Sequence, residues 1–324
     1  MTTGDKGADS SVERTDTCRD ARRQFLKQAG TLPAVALAAQ SGAAGEPREE
    51  AGMPQIQFGP HRISRLICGA NCFNAGSHLS VFVNYEMKNY YTPERIIQTL
   101  RRCHEVGINC WASGRPNYDL NQRLLDEGIK MHYLGAGDPS KCAQLPVMAK
   151  AGCIGAAHHG EVTDRLFRQD GKLDQIGDYL KRVHDAGMLA GVGTHIAEVV
   201  DVVESKGWEV DYYMTCVYER HRSAEQLRKL LGHVPIPVGE VYLTEDPPRM
   251  FKSIQQTKRP CLAFKILAAG RLSERKAWVE QAFRDTFAGI KPSDAVIVGI
   301  YDRYSDQAAE NAALVRRYGT TARM

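Results

Sequence analysis

Two apolar runs near the C-terminus constrain this chain most: residues 261–267 (CLAFKIL) and 295–300 (AVIVGI), each running straight into a helical stretch. The first continues as Ala-Ala-Gly-Arg-Leu and the second as Tyr-Asp-Arg-Tyr-Ser-Asp-Gln-Ala-Ala-Glu-Asn, with a helix read over 274–289 between them. Runs this short and apolar at every position are strands buried on both faces, which is the condition of a parallel sheet covered by helices. Parallel strands need helical crossovers, and in closed sheets of this kind ligand chemistry sits where strand becomes helix.

The same rhythm extends upstream. Strands are predicted at 66–70, 108–112, 131–136, 153–158, 189–194 and 211–216, with helices at 118–127, 141–151, 173–186, 196–205 and 223–231. Thr92 caps a further helix whose first position is Pro93; Ile96, Ile97, Leu100 and Cys103 make its buried face, and Gly107 stops it. Together with the two C-terminal runs this gives eight strands. The extended run 236–243 reads as an insertion, with a ninth strand as the alternative. Eight alternating units with right-handed crossovers predict a closed (β/α)8 TIM barrel over residues 51–324. An open doubly wound sheet is the runner-up, but no GxGxxG follows the first strand.

A chain of 324 residues with 43% hydrophobic content is ample for one such domain. Net charge is only +4 with the signs interspersed, which excludes a nucleic-acid footprint and a polybasic membrane surface and leaves a small-molecule ligand. Residues 1–50 are polar and rich in Ala and Gly; they read as a signal and flexible linker. Arg22-Arg23-Gln24-Phe25-Leu26-Lys27, a short apolar run from Leu32 to Ala39 and small residues near Ala36 to Ala44 resemble a twin-arginine export signal. That resemblance implies the twin-arginine translocase as a partner and a periplasmic or otherwise exported location. No Cys follows the apolar run to take a lipid, and the run is too short to span a bilayer, so no stable membrane anchor is expected. The remaining cysteines lack CxxC spacing; five of them, Cys68, Cys110, Cys153, Cys216 and Cys261, fall in predicted strands as small buried hydrophobes.

The segment from Phe58 to Leu66, Gly107-Ile108-Asn109, and the last strand leading to Glu310-Asn311 resemble the aldo/keto reductase family. The resemblance implies an oxidoreductase acting on a carbonyl or sugar-like molecule with NADP(H). Its phosphate and adenine end would fall on Gly299, Arg303, Glu310 and Asn311, flanked by Lys265 and Arg271. The family's catalytic set is Tyr, Lys, Asp and His. Here His158 matches at the end of the fourth strand, while Ala112 stands for Asp, Leu134-Gly135-Ala136-Gly137 for Thr-Lys, and Asn117 for Tyr with Tyr118 one residue on. At the nicotinamide positions Gly193-Thr194 replaces Ser-Asn, and Met214 replaces Gln. His158, Tyr118 and His195 are the catalytic candidates.

A second chemistry is open. His158 and His195 both end predicted strands, and with Glu240, or Glu161 and Glu219 nearby, they make a candidate divalent metal site for sugar isomerisation, elimination or hydrolysis. Phe82, Tyr85, Tyr90, Tyr91, Trp111, Tyr118, Tyr218 and Tyr242 would supply aromatic faces for a sugar ring. A non-catalytic binding protein on the same scaffold is the third reading. Both enzymatic readings need His158, His195, Lys265 and Tyr301 on one rim.

Overall fold

The computed structural model describes residues 52–169, 172–236 and 240–320. The twin-arginine segment read within residues 1–50 lies outside the described residues. The domain begins with an antiparallel hairpin, β1 (Gln55–Phe58) and β2 (His61–Ser64), turned at Gly59-Pro60. Gly59 sits at φ +55°, and a side chain there would strike Leu189. The hairpin precedes the barrel, whose first strand begins at Leu66 as predicted.

Eight parallel strands follow: β3 (Leu66–Gly69), β4 (Cys110–Ser113), β5 (His132–Gly137), β6 (Cys153–His158), β7 (Leu189–Thr194), β8 (Tyr212–Cys216), β9 (Cys261–Phe264) and β10 (Ala295–Gly299). They pair in order and close, β10 lying against β3. Around them stand α1 (Val81–Tyr90), α2 (Pro93–Glu105), α3 (Tyr118–Asp126), α4 (Leu145–Lys150), α5 (Gly160–Phe167), α6 (Asp174–Asp185), α7 (Ala197–Ser205), α8 (Ala224–Leu231), α9 (Asp246–Gln256), α10 (Lys276–Gly289) and α11 (Gln307–Tyr318). The closed (β/α)8 barrel is thus the fold.

Local chemistry sets the element ends. Thr92 Oγ1 accepts from the Arg95 amide with Pro93 opening α2, and Ser223 with Gln226 forms a capping box on α8, which ends at left-handed Gly232. The predicted helix 141–151 is split: a 3-10 turn, Pro139–Gln144, precedes α4. The strand predicted to run to 267 stops at Phe264, because the chain then bends through left-handed Lys265, Ala268 and Ala269. The run 236–243 supplies no barrel strand among its described residues. Helices α1, α5 and α9 had no counterpart in the sequence reading; α9 opens on Asp246 with two prolines in its first turn.

Two cores result. The larger lies between the outer barrel face and the helices, where Ile96, Leu100, Val199, Val203 and Phe283 are buried. The smaller fills the barrel's amino end, where Ile56, Phe58 and Ile63 of the hairpin meet Tyr212, Leu262 and Ala295. Phe58 and Tyr212 pack with their rings tilted and the centroids 4.8 Å apart. Gly191 is required there, since a Cβ at that position would lie 2.4 Å from the Tyr212 ring. The hairpin stoppers one end of the barrel, and a large cavity opens at the other. All eight cysteines of the described residues are free thiols, and the five in strands are buried.

Candidate active site at the barrel mouth

The carboxyl ends of the strands surround a cavity of about 980 Å³. His158, His195, Lys265 and Tyr301 all line it. They arrive from β6, the turn after β7, the turn after β9 and the turn after β10, so strand order alone gathers them on one rim. The cavity then continues outward past Gly270 and Lys276 to Gly299, Glu310 and Asn311.

His158 is fully buried at the last position of β6. Its Nδ1 lies 2.7 Å from Thr163 Oγ1, one turn into α5. Thr163 Oγ1 also lies 3.2 Å from the His159 carbonyl oxygen, to which its hydroxyl can donate. With Thr163 donating there, the imidazole carries its proton on Nδ1 and Nε2 is a bare lone pair. Nε2 has no partner. Burial pushes the His158 pKa down to about 4, holding the ring neutral.

His195 is held differently. Its Nδ1–H and backbone N–H both donate to Asp164 on α5, the ring contact at 2.8 Å, while Thr194 donates to the other carboxylate oxygen at 2.7 Å. Its Nε2 accepts from Arg220, 3.3 Å away. Burial lowers its pKa against the opposing pull of Asp164. Both ring nitrogens are engaged, and the side chain links Asp164 to Arg220.

Arg220, just after β8, is the buried cation at the centre of the rim. It donates to Glu161 at 3.0 Å and forms a close ion pair with Glu240. Glu240 also accepts from His78 Nδ1 at 2.7 Å and from the Tyr242 hydroxyl. Burial alone would raise its pKa, but those donors with Lys265 and Arg220 outweigh it and hold the carboxyl well below the usual range. Lys265 Nζ stands 4.0 Å from Glu240 Oε2 and has no hydrogen bond.

The metal set does not assemble. Among the described residues no group of three His, Cys, Asp or Glu side chains could hold an ion. Asp164 and Arg220 occupy both nitrogens of His195, and Glu240 is saturated by a guanidinium, an imidazole and a phenol. Arg220 supplies the positive charge that the two expected ligands would have shared.

The other candidates divide. Tyr118 opens α3 beside Tyr133, ring centroids 6.4 Å apart, and does not line the cavity; burial raises its pKa. Asn117, at the position matched to the family's Tyr, donates to Ser113 at 2.8 Å. Gly299, Glu310 and Asn311 line the outer cavity, whereas Arg271 and Arg303 do not. Arg303 pairs with Glu86 at 2.6 Å. Arg271 lies over the Tyr242 ring at 4.3 Å and donates to the carbonyls of Ala268 and His78, tying three loops of the rim together. The start of α11 is capped by Asp306 and carries Glu310, which is paired with Lys276. Of the aromatic residues, Tyr242 bonds Glu240 and Trp111 stacks on Tyr133 in the core, while Phe82 and Tyr85 are exposed on α1.

Sequence reasoning missed Arg220, His78, Thr163 and Asp164. The Glu219-Arg220 pair directly after a buried strand was a usable signal for the first. Thr163 and Asp164 sit on the unread helix α5, and His78 acts through a long loop, where spacing carries no geometry.

No family model matches the chain, and no curated protein matches it. Among solved structures it is similar to the glycerol dehydrogenase AKR11B4 from Gluconobacter oxydans, with a TM-score of 0.48 and 11% identity over 82% of this chain and 96% of that one. It is similar to the aldo-keto reductase AKR11C1 from Bacillus halodurans, with a TM-score of 0.48 and 12% identity over 81% of this chain and 90% of that one. A truncated 3-deoxy-D-arabino-heptulosonate 7-phosphate synthase from Thermotoga maritima gives a TM-score of 0.49 and 11% identity over 83% of this chain and 94% of that one. Likenesses this distant leave the chemistry to the residues themselves.

Proposed function

We propose that the protein is an enzyme that moves a proton next to the carbonyl of a small polar molecule, a sugar or sugar-like compound among them, with His158 Nε2 as the proton acceptor. One observation carries this reading: the neutral, buried imidazole of His158 lines the barrel-mouth cavity and its Nε2 has no hydrogen-bond partner among the described residues. A buried acceptor without a partner is costly, so a ligand that donates to it is favoured. Its low resting pKa makes His158 a weak base in isolation, and the cationic groups of the rim favour the enolate-like charge that develops on the substrate. Isomerases and lyases share this step. The test is exchange of the α-protons of glyceraldehyde, dihydroxyacetone, glycolaldehyde and pyruvate in D2O, followed by NMR. Enzyme-dependent exchange that disappears in His158→Asn supports the reading, and equal exchange in both proteins overturns it.

A second reading, an oxidoreductase using NADP(H), is favoured by the continuation of the cavity to Gly299, Glu310 and Asn311. As they stand, its residues do not fit a phosphate: Arg303 and Arg271 are engaged elsewhere, and Glu274, Glu280 and Glu310 face this stretch with Lys276. Fluorescence titration with NADPH decides it, saturable binding supporting the oxidoreductase. Export through the twin-arginine translocase to the periplasm is part of the proposal, and it rests on the sequence around Arg22-Arg23.

A further inference from the structure

In the reading above Lys265 is no more than one of the rim's positive charges, yet the fold goes to some length to place it. Its side chain is 7% exposed, and its Nζ has no hydrogen-bond partner. The nearest carboxylate oxygen, on Glu240, is 4.0 Å away, and that carboxylate is already held by His78, Arg220 and Tyr242. The backbone at Lys265 is left-handed, φ +61°, a conformation that a non-glycine residue keeps only when its surroundings enforce it. Lys265 shares the cavity with His158, whose Nε2 is also unpartnered.

We propose that Lys265 is a nucleophilic amine that forms an iminium with the aldehyde or ketone group of the substrate. The inference rests on the proton-transfer reading and supplies what that reading lacks, a means of activating the carbonyl. The titratable and charged groups around the amine are Cys216 at the end of β8, Arg220, Glu240, Arg271 and, across the rim, His195. Burial, with Arg220 and Arg271 against Cys216 and Glu240, brings its pKa down to about 8, so an appreciable share is free amine near neutral pH. A desolvated lysine beside other cations is one of the ways an amine is made nucleophilic.

The step balances. Counted from the ammonium form, Lys265 gives two protons to the carbonyl oxygen, which leaves as water. The new C=N bond replaces C=O, and the single positive charge stays on nitrogen. The iminium then accepts the electron pair of the adjacent C–H bond while that proton goes to His158 Nε2, giving an enamine and an imidazolium. Return of the proton to carbon and hydrolysis by one water release the product and the free lysine.

The experiment uses the whole chain without nucleotide. Protein is incubated with each of glycolaldehyde, glyceraldehyde, dihydroxyacetone and pyruvate plus sodium cyanoborohydride, and adducts are located by intact mass and peptide mapping. With at least one probe, a single saturable adduct on the Lys265 peptide is expected, forming at least about tenfold faster than on exposed lysines. It should be absent from Lys265→Met and Lys265→Arg variants whose circular dichroism matches the parent, and present in His158→Asn. Modification confined to exposed lysines with every probe overturns the proposal, as does an undiminished single adduct in Lys265→Met. Proton exchange without an adduct sinks the iminium alone; an adduct without exchange sinks the role of His158 and leaves Lys265.

Discussion

The two ends of the barrel are made by the same eight strands and hold opposite contents. At the amino end the hairpin residues Ile56, Phe58 and Ile63 pack on Tyr212, Leu262 and Ala295. At the carboxyl end His158, His195, Arg220 and Lys265 meet around a cavity. The cause is what covers each end: an apolar hairpin at one, and at the other loops carrying His78 and Glu240 with the first turn of α5 carrying Glu161. Unpartnered polar atoms occur at both ends, Tyr212 Oη in the closed one and His158 Nε2, Lys265 Nζ and Tyr301 Oη in the open one, but the large cavity that a ligand could enter lies at the open end.

Substitutions should separate the two ends. The largest effect is expected for His158→Asn, which removes the free acceptor. Proton exchange should fall by about 10²–10⁴-fold in a protein that still folds, as checked by NMR and circular dichroism on the same sample. Next comes acidification. His158 stays neutral in the fold down to about pH 4, while in the unfolded chain it protonates near 6.5. Between those values the unfolded state binds the extra proton, so stability is fully present above pH 6.5 and is lost as pH falls toward 4. This side chain should contribute a loss of up to ~3 kcal/mol, read as a slope in urea midpoints that His158→Asn flattens.

At the closed end, Gly191→Ala presses a methyl into the Tyr212 ring, as a Cβ there would lie 2.4 Å away. It should cost about 1–3 kcal/mol in thermal or urea unfolding, with exchange per folded molecule unchanged. The smallest effect is expected for Arg303→Ala. The Arg303–Glu86 pair is solvent-exposed, so unfolding midpoints should scarcely move. If NADPH binds, its affinity should also be unaffected; a weakened NADPH affinity would revive Arg303 as a phosphate contact.

Much of the fold was legible because burial on both faces leaves its mark residue by residue. The bounds of β6 and β7 were read directly, since Cys153–His158 and Leu189–Thr194 are small or apolar throughout and end in turn-forming residues. Strand β9 was overextended because Lys265-Ile266-Leu267 continues the apolar pattern, while the left-handed turn that ends the strand has no glycine to announce it. Helix α9 was missed behind its prolines.

The site was legible only where strand ends define it. His158, His195, Lys265 and Tyr301 follow from topology, but what each one does depends on partners far away in the chain. Asp164 lies 31 residues before His195, and Glu240 lies 162 after His78. Those contacts turn His195 from an expected metal ligand into a bridge and commit Arg271 to loop carbonyls. No local spacing encodes them.

The central claim is that the open end performs proton transfer through the free nitrogen of His158. The direct measurement is the rate of α-proton exchange of glyceraldehyde in D2O, parent against His158→Asn, with Gly191→Ala as the closed-end control. Exchange that is abolished at the mouth and retained per folded molecule at the closed end is the expected result. Exchange at the uncatalysed rate in the parent, or equal exchange in the parent and His158→Asn, would contradict it.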